Sequence, residues 1–189
     1  MPAVARTSDE AIIAAARRIV DREGAAALSM LAVAGAVGVQ APSLYKRFRD
    51  RSALLRAVAQ DVVTSLQRVH ARAANTGSPI DDLRAVAIAQ RRFARRSPHL
   101  YTLVFGPREA ETEPSDAEYA SLVAVVFDRL RSVGQPERAL DTARMLVSYT
   151  HGFISMELAG AFRLGGDLDK AYAFGLDALL RSVAPRRRR

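Results

Sequence analysis

The sequence predicts an all-α protein: an N-terminal three-helix domain built around a helix-turn-helix, then a larger C-terminal helical domain, with about nine helices in all. Three observations predict it. Apolar residues recur at helical spacing almost throughout, with no alternation of strand type longer than a few residues. Helix starts and stops are marked repeatedly by Ser or Asp caps, Ser-Pro pairs and Gly breaks. The stretch Ser29 to Phe48 has the layout of two short helices joined by a tight turn.

Ser8 caps a first helix, Asp9 to about Glu23, whose apolar face is Ile12, Ile13, Ala16, Ile19 and Val20, and Gly24 ends it. Ser29 caps a second, Met30 to Ala36, and a third runs from about Ala41 to Phe48. Asp50 or Ser52 opens a long fourth helix to about Ala74, broken by Asn75-Thr76-Gly77. Ser78-Pro79 starts a fifth, to about Arg96, and Ser97-Pro98 a sixth, to Phe105, because proline fits the first turn of a helix. An acidic, proline-bounded loop is expected over 107–114. The seventh helix then spans Ser115 to Val133, the eighth Pro136 to about Leu164, and the ninth, capped by Asp167, reaches Ala184. The expected domains are 6–66, containing the motif 29–48, and 78–184, followed by a basic tail, 185–189.

The 189 residues carry a formal net charge of +8, which suits a polyanionic partner. Half of that charge sits in Arg186 to Arg189, and nearly all basic residues are arginine, Lys46 and Lys170 being the exceptions, so charge alone decides little. There is no cysteine, hence no disulfide framework and no thiolate metal site. His70, His99 and His151 lack the spacing of metal ligands. No apolar run approaches the roughly 20 residues of a membrane span, and the N-terminus lacks the apolar core of a secretory signal. A cytoplasmic protein without cofactor, metal or membrane partner is expected. No Gly-rich phosphate loop, nucleophile elbow or His-Glu-x-x-His is present, so an enzyme is not expected.

Within Ser29–Phe48, Ala34 is small enough for a second helix to cross closely, Gly38 tolerates the backbone of a tight turn, and Val39 pins that turn to the core. Leu44 and Phe48, four apart, form the buried stripe of the second helix. That leaves Gln40, Ser43 and Lys46 facing outward, flanked by Tyr45 and Arg47. These features, with Ile12-Ile13-Ala14-Ala15-Ala16, Gly24, Leu28-Ser29, Ser43-Leu44-Tyr45-Lys46-Arg47-Phe48, Arg51 and Leu54-Leu55, resemble the TetR family of transcriptional regulators. The match covers about residues 6 to 60. The chain has Val33-Ala34 where the family usually has Ile-Ala, and Arg51 where it usually has Lys.

The resemblance implies double-stranded operator DNA as partner. Gln40, Ala41 and Ser43 are the candidates for base readout, Gln40 by hydrogen bonding and Ala41 by contact with a thymine methyl. Pro42 sits among them in the first turn. Tyr45 and Lys46 are candidates for phosphate contact, and Arg51 with the N–H groups opening the fourth helix for another. For Tyr45 packing beneath the helix is the alternative; for Arg51 it is a solvated cap residue.

The segment Tyr149-Thr150-His151-Gly152-Phe153 through Glu157-Leu158-Ala159-Gly160 resembles a C-terminal domain type of TetR-like regulators named for a Trp-His-Gly motif, with Thr150 in the Trp position. The implied role of this domain is ligand binding and dimerisation. Gly152 and Gly160 suggest a close helix approach in the core or in a dimer. Phe93, Tyr101, Phe105, Met145, Tyr149 and His151 are candidates to line a pocket for an unknown small-molecule effector, with core packing as the alternative. Leu140, Val147, Ile154 and Ala161, spaced by seven, and Leu168, Ala171, Leu176, Leu179 and Val183 on the next helix, suggest a homodimer through the eighth and ninth helices. The expected function is a ligand-released repressor on a palindromic operator. A helical enzyme or an interaction module, in which the hairpin is only structural, is the competing reading.

Overall fold

A computed structural model describes residues 7–106, 115–133 and 136–183. The expected loop 107–114 and the basic tail lie outside them. The described residues hold nine α-helices and no strand: α1 (Asp9–Glu23), α2 (Met30–Val37), α3 (Ala41–Tyr45), α4 (Arg51–Ala73), α5 (Pro79–Arg96), α6 (Pro98–Phe105), α7 (Asp116–Ser132), α8 (Ala139–Leu158) and α9 (Leu168–Val183). Short 3-10 turns at Ala25–Ala27 and Pro136–Arg138 precede α2 and α8.

The caps explain why the helices start where they do. Ser8 Oγ accepts from Ala11 N–H and Ser29 Oγ from Ala32 N–H, satisfying donors that have no partner inside the helix. At α7, Ser115 Oγ accepts from Glu118 N–H while Glu118 Oε2 accepts from Ser115 N–H at 2.7 Å, a reciprocal capping box. Asp167 Oδ1 accepts from the N–H groups of Asp169 and Lys170 at the start of α9.

The described chain falls into two compact units. One comprises 7–65 with 97–106 and 115–119; the other comprises 66–96 with 120–133 and 136–183. The first unit buries Ile12, Ala16 and Val20 of α1, Val33 and Ala34 of α2, Leu44 of α3, and Leu54, Val58 and Val62 of α4. It also includes α6, which the sequence reading placed in the second domain. His99 Nδ1 lies 3.0 Å from the Asp21 carbonyl, and Leu100, Tyr101 and Val104 are buried.

The second unit has a core of Leu83, Val86, Val126, Leu130, Leu146, Tyr172, Leu176 and Leu180. Asp82, in the first turn of α5, is buried at a junction. It accepts from Thr76 N–H and hydroxyl and from Arg129 Nε at 2.6 Å, and the Thr76 bonds foremost hold its carboxyl below the usual range. His70 is also buried, its Nδ1 3.4 Å from the Leu122 carbonyl, and burial pushes its imidazole below the ordinary value.

α8 departs from expectation at both ends. It begins after a 3-10 turn and stops at Leu158, not near Leu164. Gly160 takes the left-handed conformation at φ 62°, Ala161 N–H bonds Met156 O and Gly160 N–H bonds Glu157 O. This is the Schellman pattern that closes a helix. Gly160 is therefore a helix terminator and not a contact glycine. Gly152 is on α8, but a Cβ there would meet nothing within 4 Å in the chain, so no close approach within the subunit explains it.

On α9, Gly175 does admit a close approach. A Cβ there would overlap the Tyr149 hydroxyl and lie 2.7 Å from the Tyr149 Cε2 and Cζ. Tyr149 is not free to swing away, because its hydroxyl donates to the Tyr172 carbonyl at 2.7 Å. Gly175→Ala should therefore lose about 1–2 kcal/mol, overpacking outweighing the gain in helix propensity. Gly152→Ala should gain up to about 1 kcal/mol for the subunit. Thermal melts of the two variants are expected to shift in opposite directions; a stabilised Gly175→Ala would mean that Tyr149 yields freely.

Candidate nucleic-acid interface

The site starts from the turn between α2 and α3. Gly38 sits at φ 71° with its N–H on Gly35 O at 3.3 Å, and Val39 N–H reaches back to Ala34 O at 3.0 Å. That again is the Schellman pattern, which only a residue at ease in the left-handed region closes cheaply. Ala34, 1% exposed, provides the small contact, and half-buried Val39 follows the turn. α3 then projects from this junction with Leu44 fully buried. Its helical part ends at Tyr45, three residues before the expected end, and Arg47 and Phe48 N–H groups close it on the Leu44 carbonyl.

Anchoring Leu44 inward turns its neighbours outward. Gln40, Pro42, Ser43, Tyr45 and Lys46 are exposed and Ala41 is half-buried. Gln40 caps α3 with its backbone alone, its side chain making no cap bond, so the amide is available to a base edge. Tyr45 is 54% exposed, which removes the alternative of packing beneath the helix. Arg47 pairs with Asp9 and so ties α3 to the start of α1.

Arg51 departs from its expected role. Its Nε donates to the Leu28 carbonyl at 2.9 Å and its Nη2 to the Ala25 carbonyl at 2.6 Å. It pins the 3-10 turn before α2 to the start of α4, a positioning task. Asp50 caps the N-terminus of α4. Asp50 Oδ1 accepts from Ala53 N–H at 2.8 Å, and that bond, with a second from Arg49, holds the Asp50 carboxyl below its usual range. A carboxylate already sits where a phosphate was expected. Sequence reasoning also missed Leu31, which is 75% exposed on α2; being apolar, it reads from sequence as core.

The six expected effector-pocket residues divide between the two units. Tyr101, 2% exposed, packs on Phe105 at 4.6 Å between ring centroids, in the first unit. Phe93, Met145, Tyr149 and His151 belong to the second. There Tyr149 stacks on Tyr172 at 5.6 Å, and Phe153 meets Tyr172 at 5.1 Å and Phe162 at 4.7 Å. The guanidinium of Arg91 lies over the Tyr172 ring at 4.7 Å and the Phe153 ring at 5.3 Å. This aromatic cluster is filled by the chain's own cation, so it is core. Half-buried His151 has its Nε2 3.4 Å from Ser155 Oγ. Met145 lines a cleft of about 260 Å³ beside Leu130, Thr142 and Val183.

The comparisons with known proteins agree with this geometry. The family model for bacterial regulatory proteins of the tetR family matches residues 12–58, and that for the tetracyclin repressor-like C-terminal domain matches residues 83–179. A helix-turn-helix transcriptional regulator of Mycobacterium tuberculosis is 31% identical over 98% of this chain and 84% of its own length. A TetR variant from Acinetobacter baumannii, solved in complex with minocycline, is 25% identical with a TM-score of 0.63, covering 90% of this chain and 93% of its own. A TetR regulator from Streptomyces coelicolor shares the fold at a TM-score of 0.71 and 20% identity, over 93% of this chain and 97% of its own. The chain is a helix-turn-helix DNA-binding transcriptional regulator. It belongs to the TetR family.

Proposed function

We propose that this regulator is a repressor that binds a palindromic operator as a homodimer in the cytoplasm and is released by a small molecule. The observation that supports it most is the division of α3: Leu44 is fully buried, while Gln40, Pro42, Ser43, Tyr45 and Lys46 stand in solvent behind a closed Ala34–Val39 turn. Such a helix enters a major groove with its first residues at the base edges. Gln40, Ala41, Pro42 and Ser43 are assigned to base edges, and Tyr45 and Lys46 to phosphates. Two heads on a two-fold axis read half-sites about 34–36 Å apart, or a multiple of that.

Release follows by population shift. α4 carries the chain from the first unit into the second. A ligand that prefers a conformation of the second unit incompatible with both heads docking weakens DNA binding by its differential affinity, and by no more than that. The tetracyclin-type ligand in the Acinetobacter baumannii TetR complex supports ligand release as a reading for this chain without identifying the ligand.

The test separates the two kinds of contact. Lys46→Ala should weaken binding to all sequences and flatten the salt dependence by about one unit of slope. Gln40→Ala should change base preference at one position of each half-site, at about 1–3 kcal/mol of discrimination. Titrations of the natural upstream DNA over a salt series measure both. No effect of either variant would overturn the assignment of α3 as the reading helix.

A further inference from the structure

Beside the aromatic cluster, with which it shares Arg91 and Tyr172, the second unit has an open cleft of about 540 Å³ between α5 and the start of α9. Its wall is unusual in charge. Arg91, Arg92, Arg95 and Arg96 all line it, with Asp169 as the opposing carboxylate and Ile88 and Tyr172 as apolar surface. At helical spacing, Ile88, Arg92, Arg95 and Arg96 fall on one face of α5.

The four arginines are not equivalent. Arg91 is 6% exposed and fully engaged: Nε and Nη2 hold Glu157 at 2.7 and 2.8 Å, Nη1 holds Asp169 at 2.9 Å, and the two rings flank it. Arg95 shares the same two acids, with Nη1 2.9 Å from Asp169 and Nε 3.8 Å from Glu157. Two carboxylates are thus divided between two guanidinium groups. Arg92 and Arg96 are exposed at the cleft and have no ion-pair partner among the described residues. Counting four arginines against Glu157 and Asp169 leaves two positive charges on the wall.

We infer that this cleft is the binding site of a small organic anion, a carboxylate or phosphate ester with an apolar body. The anion sits between Arg92 and Arg96, and the apolar part lies against Ile88 and exposed Ala173. Arginine suits this role because its planar fork binds carboxylate and phosphate bidentately. The volume falls in the range of small-molecule sites. Buried Arg91 ties α5 to Glu157 of α8 and to the more exposed Asp169 of α9, so the wall is built before a ligand arrives. The inference rests on the ligand-responsive reading above and names the chemical class of its ligand. Arg95 and Arg96 also lie in the last turn of α5, where cations offset the helix dipole; that role alone would give no selectivity for a ligand.

The test uses the full chain, with 1-naphthoate as the anionic probe and 1-naphthamide as its neutral counterpart, followed by calorimetry. Naphthoate is expected to bind at least about tenfold more tightly than naphthamide, and to weaken as salt rises. Arg92→Gln/Arg96→Gln should lose about tenfold of the naphthoate affinity while keeping the parent's melting curve and operator affinity. Inorganic phosphate, lacking the apolar body, should bind more weakly than naphthoate. Equal binding of naphthoate and naphthamide, equal binding of naphthoate to parent and double variant, or no binding of either probe at about 10 mM would each overturn the site. Operator release is a separate readout. Naphthoate binding that is lost in the double variant establishes the site even where DNA stays bound, and in that case it is the ligand-release reading that fails.

Discussion

Arg91→Met is expected to lower the stability of the protein by about 3 kcal/mol, a fall in Tm of roughly 6–12 °C for a chain of this size. The Glu157 side chain, only 12% exposed, receives two charge-assisted bonds from Arg91. Removing the guanidinium strands a mostly buried carboxylate, which typically costs about 3–5 kcal/mol. The lower end applies because Arg95 Nε stays 3.8 Å from Glu157. The contacts of Arg91 with the Tyr172 and Phe153 rings are lost as well. Arg91→Met/Glu157→Leu should recover most of the loss, since an apolar pair of similar volume replaces a buried ion pair at little cost. Circular-dichroism melts of both variants check this; a single variant within about 0.5 kcal/mol of the parent would show that Arg91 is not the tie between α5 and α8.

What was legible in the sequence was local. Caps involve residues two or three apart, so Ser8, Ser29 and Asp167 could be read directly, and the structure has each of them making the expected bond. The helix-turn-helix was legible for the same reason: Ala34, Gly38, Val39 and Leu44 lie within eleven residues and constrain one another. What was not legible depends on partners distant in sequence. Arg51 read as a phosphate ligand because nothing local marks the carbonyls of Ala25 and Leu28 as its acceptors. Nothing local marks Asp82 as the partner of Arg129, 47 residues away. Aromatic residues at helical spacing cannot show whether they line a cavity or fill one; Tyr149, Phe153 and Tyr172 fill theirs around Arg91.

The stripe spaced by seven on α8 failed for a geometric reason. A straight helix turns about 20° away from a strict seven-residue repeat with each repeat. Leu140 and Val147 are 48% and 38% exposed, but the next step carries Ile154 into the core at 1% exposure, and Ala161 lies beyond the helix end. On α9, Leu176 is likewise core at 1%. A charge at Ile154 or Leu176 would therefore unfold the subunit and report nothing about association.

The residues that test the proposed dimer are those that the subunit leaves uncovered. α8 exposes Leu140, Val147 and Met156, and Gly152, four residues before Met156, lies open within the chain. α9 exposes Phe174 at 75%, flanked at helical spacing by exposed Ala171 and Ala178. A large ring between two alanines is the shape of a knob with room for a partner helix on each side, and such anchors carry most of an interface's energy. Phe174→Asp and Val147→Asp should each leave the subunit folded, since neither side chain belongs to its core. Light scattering should give twice 20.5 kDa for the parent and 20.5 kDa for the variants at micromolar concentration. With the heads no longer linked, operator affinity should fall by about 10²-fold or more, because the second head loses its high effective concentration. Binding by a single head to a half-site should be unchanged, the α3 surface being untouched. Variants that keep the doubled mass, or a parent that stays at 20.5 kDa on operator DNA, would show that α8 and α9 do not join the subunits.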